Sequence, residues 1–158
     1  MEKNFKLKIL EIIVIIGSIF GFGYMSIVWI NDLRDAAKVE NIQKELVDLR
    51  VALEIYYQKT GEYPELTRFG AKDNLETLDF KNEKGEVISF SKIYGKNSIP
   101  KTIENGDVKS SNEVYDLNDF NLSTDTGGWN YNFSGRTGEI HLNLPDDLFP
   151  QKINWKQQ

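Results

Sequence analysis

Few side chains in this sequence have the reactivity that chemistry at a site requires. There is one His, His141, and no Cys. The lack of Cys removes disulfide frameworks, thiol nucleophiles and thiolate-based zinc or iron–sulfur sites. A single His removes multi-His metal sites and works against a Ser-His-Asp arrangement. His141 lies in an alternating run beside Glu139, where an exposed strand residue is expected. Ser134 has Arg136 nearby in a Gly-containing turn but no base next to it. No spacing sets a base beside a nucleophile, so the chain reads as a non-enzyme without a cofactor or resident metal. The remaining candidate is Glu11, the single charge in the apolar run of residues 9–30. An ionisable side chain inside a membrane helix is costly and marks function by default. The bland account is that Glu11, three positions into the run, reaches the headgroups and water.

The element that carries Glu11 sets the rest of the organisation. A bilayer core needs about 20 apolar residues in a helix, and residues 9–30 supply 22. Bulky residues continue to Trp29 and Ile30 with no small-residue cleavage site, so a retained membrane helix is expected rather than a signal peptide. Tyr24 and Trp29 suit the outer interface. Lys3, Lys6 and Lys8 precede the run against one acid, Glu2, whereas the residues after it carry no cationic excess. The positive-inside rule then puts the N-terminus in the cytoplasm and residues 31–158 outside. Three of the 19 basic and two of the 24 acidic residues precede Asn31, leaving 16 against 22, a net −6. With no basic stripe beyond the N-terminus, nucleic-acid binding is not expected. A length of 158 residues accommodates this segment plus one small domain.

No Gly or Pro occurs from Asn31 to Lys59. Val39, Ile42, Leu46, Leu49, Leu53 and Tyr56 are spaced at helical intervals, and Val47, Val51, Ala52 and Ile55 widen the stripe to a core-facing helix face. Glu40, Lys44, Asp48 and Glu54 form the opposite, solvated face. One helix is therefore expected from about Lys8 to about Lys59, stopped by Thr60-Gly61 with Pro64 beyond. Residues 65–125 are polar and read as a variable region. Its anchors are Leu66, Phe69, Leu75, Leu78 and Phe80, then Val114, Tyr115, Leu117, Phe120 and Leu122. Asp73-Asn74 suggests a short helix start, residues 81–85 a turn, 86–90 a strand, and 95–126 a long surface excursion. Trp129, Tyr131 and Phe133 alternate with Asn, as do Ile140, Leu142 and Leu144 with His141 and Asn143, across a Gly-containing turn. That is a hairpin over 129–144. Phe149, Ile153 and Trp155 are expected to tuck a tail onto the core. The expected fold is α+β, a long N-terminal helix with a membrane-spanning half and an amphipathic half. The amphipathic half packs on a small C-terminal antiparallel sheet.

The order of these features resembles the type IV pilin and type II secretion pseudopilin family. Tyr56-Tyr57-x-x-x-Gly61-x-Tyr63-Pro64 is similar to the turn where the long helix of major pseudopilins hands over to the globular domain. Thr126-Gly127-Gly128-Trp129-Asn130-Tyr131-Asn132, followed by Thr137-Gly-Glu-Ile140, is similar to the family's closing hairpin. Family members carry Gly and then Phe-Thr-Leu-Ile-Glu at the start of the apolar run. With Glu11 on the family Glu, Lys6 stands at the Gly and Leu7, Lys8, Ile9 and Leu10 stand at the following four positions. The resemblance implies cleavage before Leu7 by a prepilin peptidase and pairing of Glu11 with the new amine of a neighbouring subunit. Lys8 is the alternative cation where no cleavage occurs. Some family members also bind calcium after the hairpin. Here Asp146 and Asp147 alone are too few for the about six to eight oxygens of Ca²⁺, and further oxygens would have to come from Asp116, Asp119 and Asp125 in another loop.

Two functions remain in play. The first is a structural subunit of a type IV pilus-like or type II secretion pseudopilus filament, anchored in the cytoplasmic (inner) membrane. Its partners are other pilin-like subunits in a homo- or hetero-oligomer, an inner-membrane assembly platform, a prepilin peptidase and the lipid bilayer. The second is a membrane-anchored extracytoplasmic binding domain of the same fold that never polymerises, which Lys6 favours.

Overall fold

The computed structural model describes residues 2–149 and 152–157, with side chains from residue 12 onward. Helix α1 runs Glu2–Thr60 without a break. Gly17, Gly21 and Gly23 stay helical within it. Its end follows the expected stop. Gly61 takes φ 79°, which Gly adopts without strain, and its N–H donates to the Tyr57 carbonyl at 2.8 Å. The Thr60 hydroxyl donates to the Tyr56 carbonyl at 2.9 Å, closing a second open acceptor.

By internal contacts the chain divides into Met1–Lys38 and Val39–Gln158. In the first unit every described hydrophobic side chain from Ile12 to Ile30 is exposed, Phe20 and Phe22 each at 74%. Among the described residues this is the one helix long and apolar enough to cross a membrane. Ser18 and Ser26 return their hydroxyls to the carbonyls of Val14 and Phe22, each at 2.8 Å. Their polar atoms are thus satisfied within the helix, as an apolar surrounding demands.

The second unit is α+β, with the C-terminal half of α1 packed on two small sheets. Val39, Ile42, Leu46, Leu49, Leu53 and Tyr56 are all buried, as their spacing predicts, and Ala52 joins them. The widening holds only at Ala52. Val47 and Val51 are 55% and 53% exposed, and Ile55 is exposed too. The buried stripe is narrow because the sheet facing it has three strands of three residues each.

After α1, Asn74 caps a 3-10 turn at Leu75–Leu78, its side chain accepting from the Glu76 N–H at 3.1 Å. A two-stranded antiparallel ribbon follows, β1 (Phe80–Lys81) on β2 (Val87–Ile88), turning at residues 82–86 with Gly85 at φ 81°. Strand β2 stops short of the expected 86–90. Phe90–Tyr94 forms helix α2, closed by Gly95 in the left-handed region. Glu45 of α1 holds α2 from below, accepting from the Tyr94 hydroxyl at 3.1 Å and pairing with Lys96.

The main sheet has the order β3 (Val114–Asp116), β4 (Trp129–Tyr131), β5 (Ile140–Leu142). β4 and β5 form the expected antiparallel hairpin, with Trp129 opposite Leu142 and Tyr131 opposite Ile140. β3 lies parallel to β4, so the sheet is mixed rather than antiparallel. The connection covers residues 117–128, long enough for the crossover that parallel pairing requires. The stretch read as a surface excursion is tied into the body. Ile99 and Thr102 are each 2% exposed, and the Thr102 N–H donates to the Ser111 carbonyl at 2.8 Å. Of the expected anchors, Leu66, Leu75 and Leu78 are buried, whereas Phe69 is fully exposed and Tyr115 and Leu122 face outward. The tail behaves as expected, with Phe149 and Trp155 buried and Ile153 packed against the core.

Candidate functional site

The side chains of the expected assembly residues Leu7, Lys8 and Glu11 lie outside the described residues. The six residues expected to build structural turns fall at two places in Val39–Gln158. Gly61, Tyr63 and Pro64 meet the far end of the closing hairpin. Gly127, Gly128 and Trp129 form the seam between β3 and β4.

The first place is built by the helix stop. Once Gly61 turns the chain, Tyr63 folds back and stacks on Tyr57 of α1, ring centres 4.5 Å apart and planes 20° from parallel. Pro64 is buried, and its carbonyl accepts the Tyr131 hydroxyl at 3.0 Å. Gly138, at φ 69°, lets the hairpin loop come down on Tyr63, since a Cβ there would overlap the Tyr63 ring. Burial is the main reason the Tyr63 phenol is raised above its ordinary pKa, followed by the charge of Glu54. Tyr131 is raised further, again chiefly by burial. Between turn and loop lies a cleft of about 620 Å³ lined by Tyr57, Glu62, Tyr63, Phe133, Ser134 and Arg136. The loop floor is fixed by Asp116, whose carboxylate accepts from the N–H groups of Phe133 and Ser134 at 3.2 and 3.1 Å.

The second place explains the Gly-Gly pair. Gly127 and Gly128 have φ 100° and 85°, and a Cβ on either would strike a backbone carbonyl, that of Lys109 or of Glu113. The Gly128 N–H donates to Thr102 Oγ1 at 2.9 Å, and Trp129 donates through its backbone N–H to Glu113 O and through Nε1 to Pro100 O, both at 2.8 Å. Trp129 is completely buried.

Sequence reasoning missed Asn143, which organises the loop before Gly127. Its Oδ1 accepts from the Ser123 hydroxyl at 2.7 Å and the Asp125 N–H at 2.8 Å, and its Nδ2 donates to the Gly127 carbonyl at 2.9 Å. A buried amide must satisfy its polar atoms. The cluster Ser123-Thr124-Asp125-Thr126 is the sequence signal for a polar partner in the hairpin.

His141 departs from the expectation of an exposed strand residue. It is half-buried against Phe120, ring centres 4.1 Å apart, with Arg50 3.5 Å from its Nδ1. Burial, then the Arg50 charge, holds its pKa below the ordinary value. Arg50 itself spans from α1 to β5, donating through Nε and Nη2 to Ile140 O at 3.1 and 2.7 Å. Four of the five candidate calcium acids have partners in the fold. Asp116 accepts from the Phe133 and Ser134 N–H groups of the hairpin loop, Asp119 from the nearby Asn121 N–H, Asp125 pairs with Lys156 at 3.2 Å, and Asp146 accepts from the Trp155 N–H. Among the described residues no three His, Cys, Asp or Glu side chains converge on a cation position. The Ser134 hydroxyl donates to Asn118 and Asp116, both structural partners in the loop.

No known family model matches the chain, and no curated protein or solved structure is significantly similar to it. The layout itself is pilin-like: an apolar N-terminal helix whose later half packs on a small sheet.

Proposed function

We propose that the chain is a structural subunit of a type IV pilus-like or type II secretion pseudopilus filament, anchored by α1 in the cytoplasmic membrane. Its N-terminus lies in the cytoplasm and residues 31–158 lie outside. Its partners are copies of itself or other pilin-like subunits, an inner-membrane assembly platform and a prepilin peptidase acting before Leu7. The observation that carries this reading is that one helix serves two solvents. Its first half presents apolar side chains all round, and its second half buries a single stripe in the domain core. The exposed ridge Val47, Val51 and Ile55 on α1 adds support, because apolar side chains in a row suit a further packing partner.

In this reading Glu11 pairs with a cation on a neighbouring subunit, either the amine of Leu7 or Lys8. A buried carboxylate without a partner is costly, so the pair acts as a register check. The chain has no native Cys, so single Cys residues at Ile15 or Ile19 report helix–helix contact in the membrane. Cross-linking should be lost in Glu11→Ala while membrane insertion persists. If Lys8 is the cation, Lys8→Glu should break cross-linking and Lys8→Glu with Glu11→Lys should partly restore it. The intact mass of the membrane-extracted protein reports whether six residues are removed and a methyl group added. Equal cross-linking in wild type and Glu11→Ala would overturn the assembly role. The second reading, an anchored domain that does not polymerise, then takes its place, with Lys6 at the cleavage position as its own support.

A further inference from the structure

The cleft between the helix stop and the hairpin loop plays no part in the filament reading, and its lining has groups that the fold does not use. We propose that it binds a pyranose ring of an oligosaccharide. Tyr57 leaves 41% of its surface exposed, although its helix buries the neighbouring Tyr56. Its ring is held in place by the stack on Tyr63, which is itself fixed by Gly138. This is a rigid aromatic plane at the edge of a cleft of about 620 Å³, inside the range of about 300–1,000 Å³ common for small-molecule sites. Phe133 supplies a further apolar wall.

Two charged groups line the same cleft. Neither the Glu62 carboxylate nor the Arg136 guanidinium has a hydrogen bond or ion pair among the described residues. Arg136 is presented from a left-handed backbone position, φ 60°, which a non-Gly residue rarely adopts. A carboxylate only accepts and a guanidinium only donates, so together they match a ligand whose groups do both, as sugar hydroxyls do. The C–H face of a pyranose is apolar and weakly positive, and it suits the negative face of an aromatic ring.

Other ligand classes fit less well. A phosphate or nucleic acid would meet Glu62 and a chain of net charge −5. An extended peptide docks through free backbone groups. Here the N–H groups of Gly61, Ser134 and Arg136 already donate to Tyr57 O, Asp116 Oδ1 and Phe133 O.

The test uses the full chain in phosphatidylcholine nanodiscs, which contain no sugar, with cellohexaose and maltohexaose as probes. Saturation-transfer NMR and calorimetry should show saturable binding of at least one hexasaccharide at concentrations up to about 10 mM. Tyr57→Ala and Arg136→Ala should each weaken it about tenfold or more with unchanged thermal unfolding, and Val51→Ala should leave it unaltered. Arg136 is exposed in a loop, so its variant keeps the test open if Tyr57→Ala fails to fold. Absence of saturable binding by either sugar overturns the proposal. So does equal binding by both variants, or binding of a random decapeptide mixture in place of the sugars. None of these outcomes bears on Glu11 or on cross-linking in the membrane.

Discussion

The seam at Gly128 separates two costs that are usually mixed. Substituting Ala at a left-handed position costs about 1–2 kcal/mol in backbone energy alone. Gly61 has φ 79° and open space where a Cβ would stand, so Gly61→Ala should show that cost and little more. Gly128 has a similar φ, 85°, but its Cβ would sit 2.5 Å from the Glu113 carbonyl oxygen. That oxygen accepts the Trp129 N–H, and Gly128 is also tied to Thr102 and, through its carbonyl, to the Asn143 N–H at 2.9 Å. Three segments hold the residue, so the overlap cannot relax without breaking the β3–β4 pairing. Overpacking adds about 1–3 kcal/mol, giving about 2–5 kcal/mol in total for Gly128→Ala. Domains have about 5–15 kcal/mol to lose. For a unit of this size each kcal/mol moves Tm by about 3–5 °C, so Gly128→Ala should melt well below Gly61→Ala. Trp129 and Trp155 are buried and Trp29 is exposed in the apolar segment, so the change in tryptophan fluorescence on heating reports the sheet and tail. A Gly128→Ala melting temperature equal to that of Gly61→Ala would refute the close approach of β3 and β4.

Two further outcomes are expected. Leu53→Asp puts a charge at a position 1% exposed and should unfold the domain or cost several kcal/mol by urea denaturation, whereas Val51→Asp, on the exposed ridge, should change stability by less than about 0.5 kcal/mol. The pKa of His141 is lowered in the fold, so the unfolded chain binds its proton first; its contribution is complete above the unfolded value of about 6.5 and is lost as pH falls through the folded value. Stability measured from pH 7 to pH 5 should therefore fall more steeply in wild type than in His141→Gln, and parallel profiles would remove His141 from the pH response.

What the sequence discloses follows the range of the interactions involved. The core stripe of α1 is legible because six residues repeat the helical period, and all six are buried. Its width is not, because it depends on how much sheet lies opposite, and three short strands cover only part of a helix face. The hairpin is legible from alternation within one stretch of chain. The parallel partner β3 is not, because its pairing joins residues across a loop and depends on the backbone approach that Gly127 and Gly128 permit. Ile99 and Thr102 hold the excursion singly, so no period marks them. Helix α2 is readable in principle: Phe90, Ile93 and Tyr94 have helical spacing between Ser89 and a stopping Gly95. The apolar pair Val87–Ile88 just before it masks that signal, because Phe90 continues the strand pattern as well as it starts the helix.

The two motifs that carry the family resemblance turn out to be halves of one contact. Gly61 stops α1, Tyr63 fills the space that Gly138 leaves, and the Pro64 carbonyl takes the Tyr131 hydroxyl. Gly61, Tyr63 and Pro64 of the turn that resembles the family are therefore occupied in joining α1 to the hairpin. Their joint presence in the sequence has a structural cause, and it identifies a way of closing a helix onto a sheet. It does not by itself identify a function, since one closure can carry many sites. Free capacity remains at the exposed part of Tyr57, which belongs to the turn motif, and at two groups the motifs do not require, the Glu62 carboxylate and the Arg136 guanidinium. Because the closure makes the walls of the cleft rigid, changes at Glu62 and Arg136 alter what it can hold without altering how it is built. Variation there, with Gly61, Tyr63, Pro64 and Gly138 held fixed, is the route by which one scaffold would take different ligands.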